Sequence, residues 1–181
     1  MPPTGSPDTR LIVLRGNSGS GKSTTAAALR TLYGRGLAVV GQDNLRRDIL
    51  RVRDRPGSPH VGLIDQTARY CLDQGCHVVV EGIMYAGWHA EMLMSLVADH
   101  RGTSRMYYFD VPFEETLVRH ATKPRLDHVG EKELREWWAQ TDLLPGGVEE
   151  ILGPRPSAEE HARQILGAVG LEPRGGHGAR G

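Results

Sequence analysis

Gly16-Asn17-Ser18-Gly19-Ser20-Gly21-Lys22-Ser23 is the most informative stretch of the chain. It satisfies G-x-x-x-x-G-K-[ST] at every fixed position. The apolar run Leu11-Ile12-Val13-Leu14 precedes it, as a strand buried on both faces requires. A helical pattern over 22–33 follows, so strand, loop and helix stand in the order a phosphate-binding loop needs. Each fixed residue has a task. Gly16, Gly19 and Gly21 permit tight turns and close approach of backbone to phosphate. The amides of Asn17, Ser18, Ser20 and Thr24 join theirs around an anion at a helix N-terminus. Lys22 is expected to neutralise the β- and γ-phosphates of ATP, and Ser23 to place its hydroxyl on Mg²⁺.

Outward from the loop, short apolar runs alternate with helical patterns. Strands are expected at 37–40, 77–80, 105–109 and 148–152, and helices at 44–52, 60–74, 87–100, 112–120 and 130–140. Ser157 with Glu160 reads as a capping box opening a last helix at 158–169. Such alternation implies parallel βαβ units, hence a three-layer α/β fold with helices on both faces of a five-stranded sheet. One domain over 10–170 is expected, with a polar, mobile lead-in at 1–9 and a Gly-rich disordered tail at 171–181.

The second strand ends in Gly41-Gln42-Asp43-Asn44-Leu45-Arg46-Arg47. Ligands of parallel sheets sit beyond the carboxyl ends of strands, which puts Asp43 on the rim shared with the phosphate loop. A carboxylate there can take the proton of an attacking hydroxyl, or it can simply cap the next helix. The third strand ends in Glu81, a second acid that could hold a magnesium-bound water or bind Arg46. Asp110, after the fourth strand, reads as a cap for the helix that follows.

These motifs, with Phe109-Asp110-Val111-Pro112-Phe113, resemble the P-loop kinases related to polynucleotide 5′-kinase, chloramphenicol phosphotransferase and zeta toxins. The resemblance runs over roughly residues 10–145 and extends to actinobacterial P-loop proteins described simply as kinases. It implies strand order 2-3-1-4-5, Asp43 as general base, and Arg46 on the acceptor. It also implies a mobile lid near 121–130 whose Arg119, Lys123 and Arg125 close on the transferring phosphate.

Arg46, Arg47, Arg51, Arg53 and Arg55 against Asp48 and Asp54 leave a local excess of positive charge, suited to an anionic acceptor or to a solvated face. Tyr85, Trp88, Trp137 and Trp138 wall an acceptor pocket or belong to the core. The eight histidines show no metal-ligand spacing.

Composition narrows the classes. A formal net charge of zero argues against a dedicated duplex-DNA binder. Cys71 and Cys76 are too few for a disulfide framework and are expected to be reduced. No guanine-recognition N-K-x-D motif occurs. With no apolar run long enough for a membrane span and no signal peptide, a cytoplasmic protein is expected. The reaction expected is phosphoryl transfer from ATP with Mg²⁺ to a small-molecule hydroxyl, on a sugar, nucleoside or antibiotic. A polynucleotide 5′-hydroxyl acceptor and a non-catalytic ATP-binding regulator are the alternatives; oligomeric state stays open.

Overall fold

The computed structural model describes residues 2–121, 135, 138 and 141–174, apart from the side chains of 118–121. Five strands form one parallel sheet: β1 (Arg10–Gly16), β2 (Leu37–Gly41), β3 (His77–Glu81), β4 (Thr103–Phe109) and β5 (Glu149–Leu152). Their order is β2-β3-β1-β4-β5, as expected. The named α-helices among the described residues are α1 (Lys22–Tyr33), α2 (His60–Asp73), α3 (Ala86–Asp99), α4 (Phe113–Ala121) and α5 (Ala158–Ala168). The helix expected at 130–140 lies outside the described residues but for Arg135 and Trp138, and the lid at 122–130 lies wholly outside them.

Side-chain alternation divides the core into two layers. Ile12 and Leu14 face one way and pack with Leu29 of α1 and Ile165 and Leu166 of α5. Leu11 and Val13 face the other way, with Ile64 and Ala68 of α2 and Leu93 and Leu96 of α3. Both faces of β1 are therefore covered, which is why it reads as a continuous apolar run. Strand register aligns Gly41 with Glu81, Glu81 with Leu14, and Gly16 with Phe109. The carboxyl ends of β1 to β4 thus share one rim.

Three expectations need correction. The lead-in is docked from Thr4 onward: the Thr4 hydroxyl and Gly5 N–H both donate to Asp73 Oδ1, at 2.8 and 2.7 Å. Thr4 also bridges to His100, and Thr9 is buried against it. Short polar side chains serve here as hydrogen-bonding partners. At the other end the folded chain reaches Arg174: Leu171 is buried, and the Arg174 N–H bonds the Leu32 carbonyl while its guanidinium covers Tyr33. Residues 175–181 lie outside the described residues. The segment after β2 is a π-helix over Asn44–Ile49, with the i→i+5 bond Leu50 N–H to Leu45 O, closed by Arg51 at φ 54°. The capping box is present: Ser157 Oγ accepts from Glu160 N and the Glu160 carboxylate accepts from Ser157 N.

Candidate active site

The phosphate loop is held where β1 meets α1. Gly16, Gly19 and Gly21 all have positive φ, at 139°, 77° and 106°. A Cβ on Gly16 would stand 2.6 Å from the Phe109 carbonyl, so the loop leaves the sheet through a gap only glycine fits. Asn17 and Ser20 are buried, Ser18 is half-buried, and Thr24 is exposed on the first turn of α1. Lys22 is buried and donates to the Asn17 carbonyl at 2.7 Å and to Ser20 Oγ at 3.3 Å.

The Ser23 hydroxyl donates to Glu81 Oε2 at 3.1 Å. Two hard oxygen donors, one from the first turn of α1 and one from the end of β3, therefore meet beside the loop, the donor class that Mg²⁺ takes. These residues fit the ion that the loop sequence implies.

Asp43 sits at the start of the π-helical segment. Its backbone is helical (φ −65°, ψ −38°) and its side chain makes no capping bond. The carboxylate is largely exposed and accepts from Arg46 Nη2 at 2.8 Å and lies 3.3 Å from Arg47 Nε. The capping role thus has no bond to support it, whereas two guanidinium groups fix the carboxylate's orientation.

Both arginines line a cavity of about 510 Å³, with Arg53, Tyr85, Trp88 and Trp138 among its other walls. Tyr85 and Trp88 meet edge to face at 5.0 Å. Burial and the nearby Asp54 and Asp142 charges push the Tyr85 phenol up to about 12, so it stays a neutral hydrogen-bond donor. A separate groove of about 370 Å³ runs from Gly19, Gly21 and Thr24 to Pro156, Ser157 and His161. The rim therefore offers two compartments on either side of the loop's charges.

Arg119 lies on α4, with its side chain outside the described residues. Arg125, Lys123 and Trp137 also lie outside them.

Three features were missed in the sequence. Arg15, the residue before the loop, is fully buried: it pairs with Glu149 at 2.7 Å and Asp142 at 3.0 Å, and its Nε donates to the Met84 carbonyl at 2.9 Å. Gln42 Oε1 accepts from the Met84 N–H, tying the end of β2 to the turn after β3. Beneath the cavity, Asp54, His60 and His89 converge, and burial lowers the pKa of both histidines. Gln42 carries one sequence signal, its place next to Asp43; the histidines carry no local signal.

A parallel sheet of this order with a phosphate loop at its rim defines the P-loop kinase fold. A protein-family model described as the AAA domain matches residues 11–144, and the chain belongs to that family. Among curated proteins, none matches the chain by sequence. Similar solved structures include a sugar kinase from Janibacter sp. HTCC2649, at 18% identity over 90% of this chain and 95% of that one, TM-score 0.63. The Mycobacterium tuberculosis APS kinase, solved with AMPPNP and APS, is 22% identical over 93% of this chain and 99% of that one, TM-score 0.65. The tunicamycin resistance protein of Deinococcus radiodurans is 16% identical over 91% of this chain and 98% of that one, TM-score 0.64. At these identities the likeness concerns the fold.

Proposed function

We propose that this protein is an ATP-dependent kinase that moves the γ-phosphate to a hydroxyl of a small molecule. The observation that carries the reading is the second compartment. A module that only bound nucleotide would need the loop and the groove beside it. Here an aromatic-walled, arginine-lined cavity opens on the same rim, and Asp43 is bound to two of its arginines.

In this reading the nucleotide lies along the groove between Thr24 and Pro156, with its phosphates in the loop. Lys22 leaves Asn17 to neutralise the β- and γ-phosphates. Ser23 and Glu81 would hold Mg²⁺, which would supply charge neutralisation to the phosphates. The acceptor lies between Tyr85 and Trp88 with its polar groups on Arg46 and Arg53. Its hydroxyl oxygen attacks the γ-phosphorus as the bond to the β-phosphate oxygen breaks, ADP leaves, and Asp43 takes the hydroxyl proton. Arg119 from the end of α4 and Arg125 from the lid complete the charge balance. The aromatic walls suit a ring-bearing acceptor, and sugars, nucleosides and antibiotics all present one with free hydroxyls. The names of the structural neighbours, a sugar kinase and an antibiotic resistance protein among them, support that range. Among the described residues no helix is long and apolar enough to cross a membrane, and we place the reaction in the cytoplasm, where ATP and Mg²⁺ are at hand.

The test is transfer of labelled γ-phosphate by purified protein across sugars, nucleosides, antibiotics and a 5′-hydroxyl oligonucleotide. Labelling of a small molecule, abolished in Lys22→Ala, is expected. Labelling of the oligonucleotide alone would replace the acceptor class, and undiminished transfer by Lys22→Ala would remove the reading.

A further inference from the structure

Beneath the cavity, four segments meet at one point. Gln42 comes from the end of β2, Asp54 from the loop before α2, His60 from the first residue of α2 and His89 from α3. Both histidines are fully buried. The hydrogen-bond network assigns their tautomers. His89 Nδ1 lies 3.1 Å from the Tyr85 carbonyl, which can only accept, so Nδ1 carries the hydrogen. His60 Nδ1 lies 2.9 Å from Ser58 Oγ, whose one hydrogen goes to the Arg53 carbonyl, so this Nδ1 also donates. As neutral rings, both therefore aim an Nε2 lone pair at the same point, 3.3 Å apart.

The Gln42 amide is oriented by its Oε1, which accepts from Met84 N. One hydrogen of its Nε2 goes to Asp54 Oδ2 at 3.0 Å. The other is left to face His60 Nε2 at 3.4 Å and His89 Nε2 at 3.5 Å, long distances for any hydrogen bond. Asp54 Oδ1 is buried with no hydrogen-bond partner, 3.4 Å from His60 Nε2. Two nitrogen lone pairs and a carboxylate oxygen thus converge with a single hydrogen among them. Buried acceptors in such excess call for a cation.

The distances indicate its size. Four ligands at the zinc–nitrogen length of about 2.0–2.1 Å in a tetrahedron stand about 3.3–3.4 Å from one another. The His60–His89 and His60–Asp54 separations are 3.3 and 3.4 Å. The Gln42 amide, fixed by the Met84 N–H, donates to Asp54 Oδ2 and so orients the ligating carboxylate, and a water would complete the four. The outer nitrogens of both rings are already held by a hydroxyl and a carbonyl, the support that metal-ligating histidines need. Imidazole nitrogen with one carboxylate selects a borderline ion over Mg²⁺ or Ca²⁺. We propose that Asp54, His60 and His89 bind one Zn²⁺-class divalent ion, distinct from the ion at Ser23 and Glu81, that pins the loop bearing Arg53 and the start of α3 beneath the cavity.

The experiment uses tag-free full-length protein, stripped with EDTA and held in excess Mg²⁺ to fill the Ser23–Glu81 site. Zn²⁺ is titrated against a chromophoric chelator, and Co²⁺ is titrated in parallel by visible absorption. One equivalent of Zn²⁺ and Co²⁺ bands of four-coordinate intensity are expected. His89→Gln and Asp54→Asn, each checked for native circular dichroism, should weaken binding by at least about tenfold. Zn²⁺ should raise the melting temperature of the wild type and leave that of His89→Gln unchanged. His77, His100 and His161 persist in every variant and control for chance binding. Equal binding by wild type and both variants, or Co²⁺ spectra of six-coordinate intensity only, would overturn the assignment.

Discussion

Arg15→Met tests whether the phosphate loop is held from below by a buried ion network. Arg15 has no solvent exposure, and its partner Glu149 is 2% exposed. Asp142 is more open, and also accepts from Ala86 N–H at 2.7 Å. Methionine fills much of the same channel but leaves the Glu149 charge with only the Leu144 N–H at 2.6 Å. Removing one member of a buried pair costs about 3–5 kcal/mol, because the other stays buried and uncompensated. In a domain of this size that is a fall in melting temperature of about 6–20 °C. The cause is separable from lost packing. Glu149→Gln keeps an oxygen for the Leu144 N–H and removes the charge, so the double variant should regain a large part of the loss. Differential scanning calorimetry of the four proteins gives the cycle. A single variant melting within a degree or two of wild type, or a double variant no more stable than Arg15→Met, would refute the reasoning.

Asp43→Asn should melt near wild type, because its carboxylate is largely exposed, ion pairs of that kind are worth about 1 kcal/mol or less, and it makes no capping bond. It should bind ATP normally and lose about 10²–10⁴ in transfer rate, measured with the acceptor found by screening; near-normal transfer would end its role as base. Glu81→Gln should raise the Mg²⁺ needed for half-maximal ATP binding by about tenfold, read by calorimetry at fixed ATP, and an unchanged requirement would remove Glu81 from the metal. His100 is buried between Thr9 and Ser104, and burial pushes its pKa down to about 4. The unfolded chain takes up this proton below about pH 6.5 and the folded chain does not. The resulting stability is complete above that pH and falls by about 3 kcal/mol as pH drops to about 4. Melting curves of wild type and His100→Gln should therefore converge between pH 7 and pH 4.5, and a constant gap would contradict the shift.

The sheet was legible because its central strands are covered on both faces. Leu11–Leu14 and Val78–Val80 show no polar residue to confuse the reading, and the loop between β1 and α1 announces itself in eight positions. Strand order came from resemblance; periodicity alone does not supply it. Arg15 escaped because a charged residue at a strand end reads as rim and solvent, and its acidic partners lie more than 120 residues away in sequence. The same holds for His60 and His89, which sit 29 positions apart on different helices. Local spacing reports ligands carried by one helix or one loop, and these two meet only through the packing of α2 against α3. The π-helical winding after β2 was read as an ordinary helix, since the two share a residue preference and differ in one hydrogen-bond partner.

That winding bears on how the protein could change its acceptor over evolutionary time. A π turn encloses one residue more per hydrogen-bonded ring than an α turn. Removing a residue between Arg47 and Ile49 would restore α geometry and swing everything downstream by about 100° around the axis. The loop carrying Arg53 and Asp54 would then meet the cavity from another direction. Gly16 to Ser23 and Glu81, anchored to different strands, would be untouched. A single codon lost or gained here could therefore redirect substrate choice in one step while the nucleotide machinery is inherited intact.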